Sequence, residues 1–116
     1  MTGQYGPLLE TLTRLRGIRG AMVVALGDGL VVAESLMGGV KGPALAAMGA
    51  SVASKAAELA GRAGFGPPRF LHLQASDGSL LVAPAGGDLV LVAIAGRDVP
   101  LGLLRLEMLR LAERLA

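Results

Sequence analysis

LLVAPAGGDLVLVAIAGRDVPLGLLRLEMLRLAERL (residues 80–115) decides the fold. It reads as strand, tight turn, strand, short loop and helix. Residues 89–95, LVLVAIA, are apolar at every position. A strand without polar alternation is covered on both faces, so the sheet it belongs to is expected between two layers of helix.

The rest of the chain extends this pattern in both directions. Residues 69–75 read as a strand, with Asp77-Gly78 as a hairpin turn into a strand over 80–83, and Gly86-Gly87 turns that strand into the next. Near the start, residues 21–26 and 30–35 flank Asp28-Gly29, a second two-residue turn signal, because Gly takes positive φ without steric cost. Residues 7–16 form a short helix with Pro7 in its first turn, Gly17 past its end and a stripe of Leu8, Leu12 and Leu15 widened by Leu9. A helix over 101–115 buries Leu101, Leu104, Met108, Leu111 and Leu115, with Asp98 as its cap.

The long helix spans 43–62 and has two apolar faces. Leu45, Met48, Val52 and Leu59 read as the core stripe, and Ala46, Ala50, Ala53, Ala57 and Ala60 as a second face of small residues. Two readings fit the second face. Small residues let another backbone approach closely, in this chain or a partner; alternatively, Ala is there as the best helix former.

The order is helix, two strands, helix, three strands, helix. Each local strand connection is a hairpin, so the sheet is mostly antiparallel. The expected fold is an α/β three-layer sandwich: a five-stranded sheet with the long helix on one face and the two terminal helices on the other. Residues 1–116 make a single domain.

Composition narrows the function classes. Hydrophobic residues make up 53% of the chain and aromatics only 3%, so the core is built from Leu, Val, Ala and Met. A mean hydropathy of +0.60 fits either a rich aliphatic core or surface hidden in an oligomer. A net charge of +2, from 11 Lys+Arg and 9 Asp+Glu, argues against nucleic acid as partner. The absence of Cys excludes disulfides and thiolate metal sites. No apolar run is long enough to insert in a membrane, and residues 1–14 lack a signal-peptide pattern; the expected compartment is the cytoplasm.

Catalytic and cofactor patterns do not form. His72 is the sole histidine. Gly38-Gly39-Val40-Lys41-Gly42 lacks the ending of a phosphate loop, and Gly61-Arg62-Ala63-Gly64-Phe65-Gly66 follows a helix rather than a strand. No catalytic residue, cofactor or metal ligand is expected, and the chain does not read as an enzyme.

The segments GAMVVALGDGLVVAES (20–35), LLVAPAGGDLVLVAIAG (80–96) and LGLLRLEMLRLAERL (101–115), together with the Ala-rich helix, resemble the Roadblock family, also called dynein light-chain 7. The resemblance runs from Leu8 to Leu115, with Pro100 as a departure before the last helix. It implies a small non-catalytic module that forms a homodimer. Pairing would place strand residues Arg69, Leu71, His72 and Leu73 at the interface, with Ala50, Ala53 and Ala57 of the long helix beside its mate. It also implies a small Ras-like GTPase as partner, regulated by the module, as for bacterial relatives. Lys55, Glu58 and Arg62 are then candidate partner contacts. Two alternatives are a structural scaffold without effect on GTP turnover and a ligand-sensing module.

Overall fold

The computed structural model describes residues 4–115. Helix α1 covers Gly6–Thr13, strands β1 and β2 cover Ile18–Ala25 and Leu30–Leu36, and helix α2 covers Gly42–Arg62. Strands β3, β4 and β5 cover Leu71–Ala75, Gly78–Pro84 and Leu89–Ala95, and helix α3 covers Leu101–Leu115. The sheet order is β2-β1-β5-β4-β3, with every neighbouring pair antiparallel. The α/β three-layer sandwich is therefore the observed fold: α2 lies on one face of the sheet, α1 and α3 on the other.

Strand alternation divides the core in two. Ala21, Val23, Leu81, Ala83, Leu91 and Ala93 meet Leu9 and Leu12 of α1 and Leu104, Met108 and Leu111 of α3. Their immediate neighbours along the strands, Met22, Val24, Val82, Val90 and Val92, meet α2. The central strand β5 has Val90, Leu91, Val92 and Ala93 all fully buried, which explains its unbroken apolar run.

Three local expectations are corrected. The first hairpin connection is four residues long, because Ala25 pairs with Leu30 and Leu26 leaves the strand. There Gly29 adopts φ +70° and donates its amide to the Ala25 carbonyl at 2.9 Å. The β3–β4 turn is Ser76-Asp77, since Ala75 pairs with Gly78. Gly78 serves another purpose: a β-carbon there would stand 2.7 Å from the Ala95 carbonyl oxygen. Finally, Asp98 lies ahead of the cap position of α3. The first helical bond runs from the Leu104 amide to the Pro100 carbonyl at 2.9 Å, so Pro100 itself occupies that position.

The inward face of α2 is rotated relative to expectation: Leu45 and Val52 keep their places against the core, whereas Met48 and Leu59 exchange with Ala46 and Ala53. Leu45, Ala46, Gly49 and Ala53 pack on the sheet, while Met48 and Leu59 are 52% and 68% exposed. The reason lies beneath the helix, where the sheet presents Met22, Val24, Val82, Val90 and Val92. Bulky branched side chains fill the space between layers from the sheet side, so the helix must present small residues to approach.

Candidate functional site

The sheet has two edges, and they are built differently. On β2, Val32 is an extra residue opposite the step between Val23 and Val24, so the strand carries a bulge. Helix α1 leans over β2, and Glu34 adds an exposed charge. Bulges, charges and covering elements blunt an edge against further pairing. Strand β3 has an unbroken register with β4, from Leu71 opposite Val82 to Ala75 opposite Gly78. Among the described residues its outer side meets no further strand. Leu73 in its middle is 53% exposed.

Apolar surface continues from that edge onto α2. Leu73 and Leu80 face Ala47, Met48, Ser51 and Val52 across a shallow groove of about 510 Å³. After Ala53 no residue of α2 is buried, so its C-terminal part reaches past the sheet, carrying Leu59 outward. Phe65, in the loop beyond α2, is 83% exposed. An unpaired strand edge, a groove and an outward helix face thus form one surface.

The sequence-derived candidates fall on or around this surface in different ways. Leu71 and Leu73 point to the α2 side, but only Leu73 is exposed; Leu71 packs against the core beneath α2. His72 points to the other side of the sheet, where its Nε2 lies 3.0 Å from the Ser79 hydroxyl oxygen. Arg69 is exposed and precedes β3 instead of lying within it. Ala57 is exposed and Ala50 half-buried, but Ala53, expected on the outward face, is 5% exposed and packs on the sheet. Lys55, Glu58 and Arg62 are all exposed on the overhanging part of α2. Arg62 donates to the Glu58 carboxylate at 3.3 Å, an i,i+4 ion pair.

Met48, expected in the core stripe, is exposed instead, and the half-buried Leu80 joins it in lining the groove. The available signal was Gly49: glycine inside a helix costs about 1 kcal/mol relative to Ala, and its presence marks a close approach on that face. With Gly49 facing inward, Met48 is turned outward.

Among the described residues no group of His, Asp and Glu is placed to hold a metal ion, and no helix is long and apolar enough to cross a membrane. The surface is suited to holding a partner by apolar contact and strand pairing.

A profile of the Roadblock/LC7 domain matches residues 5–95. The chain belongs to the Roadblock/LC7 family. Members of this family are generally non-catalytic adaptor and regulator modules. An uncharacterised protein of Methanocaldococcus jannaschii is 36% identical over 108 residues, spanning 93% of this chain and 92% of the relative. Among solved structures, MglB in a tetrameric arrangement is 29% identical with a TM-score of 0.83, over 95% of this chain and 83% of that one. The gliding protein MglB of Thermus thermophilus is 27% identical with a TM-score of 0.83, over 95% of this chain and 84% of its own. The Roadblock/LC7 sheet and its three helices are thus shared along nearly the whole chain.

Proposed function

We propose that this Roadblock/LC7 chain is a cytoplasmic homodimeric module that binds a small Ras-like GTPase and regulates its nucleotide cycle. The observation that carries the reading is the continuous surface formed by the unpaired β3 edge, Leu73, Met48 and the outward side of α2. Pairing of two β3 edges would extend the sheet across the molecule and bring the exposed Met48 and Leu73 of both protomers out of water. The existence of an MglB of the same fold in a tetrameric arrangement supports self-association.

The GTPase part rests on the family resemblance, which implies Ras-like GTPases as partners of bacterial members, and on the likeness to a gliding protein. The overhanging part of α2, with Lys55, Glu58 and Arg62, offers polar contacts at the rim of the paired surface. Regulation would be indirect: the module grips the GTPase and holds its mobile switch segments. A ligand-sensing role is disfavoured by the filled interior, where Met22, Leu45, Val92, Leu91 and Met108 are each at most 2% exposed.

The test has two stages. Light scattering at defined concentrations gives the mass in solution; a monomer at micromolar concentration would remove the homodimer. Affinity capture with GDP and with a non-hydrolysable GTP analogue, followed by hydrolysis assays on any GTPase retained, tests the rest. Retention in one nucleotide state with a changed hydrolysis rate is expected. A GTPase that is retained but turns over unchanged would make the chain a scaffold.

A further inference from the structure

Five of the eleven cations of this chain lie at one end of the sheet. That end is where β1 and β4 begin and where β2, β3 and β5 finish. Arg14 and Arg16 arrive there from the α1–β1 connection, Arg19 from the start of β1, Lys41 from the β2–α2 loop, and Arg97 from the β5–α3 loop; all five are exposed. Backbone bonds fix their neighbourhood: the Gly96 amide donates to the Gly17 carbonyl at 2.8 Å, and the Met37 amide donates to the Arg19 carbonyl at 2.9 Å. The carboxylates at this end are Asp77, Asp98 and Glu34, whose side chain reaches Gly42 beside Lys41. Five cations against three carboxylates leave an excess of two positive charges, equal to the net +2 of the whole chain. None of the five takes part in the ion pairs formed among the described residues, Arg62 with Glu58 and Arg110 with Glu107. The excess is therefore unneutralised, and it lies at the strand ends rather than along the β3 edge.

We infer that this arginine-rich end docks on an anionic bilayer surface. The cations come from three separate connections between elements and from the start of β1, as a row of tips. An acidic peptide needs a groove or a strand edge to hold its backbone, whereas a bilayer presents a plane of phosphates that a row of tips can meet. Arginine suits phosphate because its planar fork donates two parallel hydrogen bonds. Met37 adds an apolar element. It is 47% exposed between Arg19 and Lys41 and is followed by Gly38 and Gly39, so its side chain can enter the headgroup layer beside the cations. The inference is independent of self-association and of any GTPase.

Co-sedimentation with vesicles tests it. The full chain is expected to bind vesicles of phosphatidylcholine mixed with phosphatidylglycerol at low salt, to release as salt screens the charges, and to ignore pure phosphatidylcholine. Neutralising two tips with Arg16→Gln and Arg97→Gln lowers partitioning about 25-fold, at about five-fold per cation. Lys55→Gln with Arg62→Gln removes the same charge from α2 and leaves partitioning unchanged. Circular dichroism checks that both double variants fold. Equal losses in the two variants, binding to pure phosphatidylcholine, or no vesicle binding would each overturn the inference. Retention on polyglutamate without vesicle binding would also overturn it, assigning the end to an acidic protein.

Discussion

Gly49 of α2 lies so close to Val92 of β5 that a β-carbon at position 49 would stand 2.6 Å from the nearer Val92 methyl and 3.0 Å from the other. This contact fixes the distance between helix and sheet, and with it the direction in which Met48 points.

Replacing Gly49 with Ala tests the contact. Ala favours a helix interior by about 1 kcal/mol over Gly. Forcing a methyl against the branched Val92 costs about 1–3 kcal/mol. Overpacking wins where nothing can move, so Gly49→Ala is expected to lower the urea midpoint. In a Val92→Ala background the obstruction is gone and the same change becomes stabilising. An effect of Gly49→Ala that is the same in both backgrounds would show that the helix rides higher on the sheet.

The exposed edge gives a second expectation. Leu73 is half in water and bears little of the core, so Leu73→Asp should leave the fold intact by circular dichroism. It should convert the self-associated form to monomer in sedimentation or light scattering, because a charge on an apolar strand edge opposes pairing. Leu71→Asp is a different experiment: Leu71 packs beneath α2, and a carboxylate there destabilises the monomer itself. A Leu73→Asp protein with unchanged mass would move the contact away from β3.

Asp88 joins two hairpins that are remote in sequence. Its carboxylate accepts from the Gly27 amide at 2.8 Å, and its carbonyl accepts from the Leu26 amide at 2.7 Å. Asp88→Ala removes the first bond and keeps the second. A loss of about 1 kcal/mol in unfolding free energy is expected, with faster amide exchange at Gly27. Unchanged exchange at Gly27 would show that water replaces the carboxylate without cost.

The legible parts of the fold were those set by side-chain period and by glycine or proline. The all-apolar run of β5 gave its bounds, Leu89–Ala95, and the covering of both faces. Gly64, at φ +75°, follows the end of α2 as a glycine stop should. The orientation of α2 was not legible from its own residues. Helical spacing separates Met48 and Leu59 from Ala46 and Ala53, but which stripe faces inward depends on the valines of three other strands. The same holds for the outward surface: the Leu71–Leu73 alternation was visible, whereas the exposure of only one of them follows from where α2 ends its cover. Turn lengths failed for a related reason. Asp-Gly marked two of the three hairpins, yet the bulge at Val32 and the approach of Gly78 to Ala95 shifted the pairing around them.

Arg62 provides a separation of stability from partner binding. Its ion pair with Glu58 spans 3.3 Å, and the two side chains are 77% and 59% exposed. Solvent screens such a pair, and exposed i,i+4 pairs contribute about 0.3–0.5 kcal/mol. Arg62→Ala should therefore leave the urea midpoint nearly unchanged and leave self-association intact, since the side chain lies beyond the last buried residue of α2. Lys55→Ala should behave the same way. If the overhang is the rim of the partner surface, the two together weaken capture of the GTPase about ten-fold, as loss of about 1.4 kcal/mol implies. The readout is the dissociation constant of the purified complex, compared with the light-scattering mass of the same sample. Weaker capture at unchanged mass assigns the overhang to the partner, while unchanged capture would place that contact on another part of the molecule.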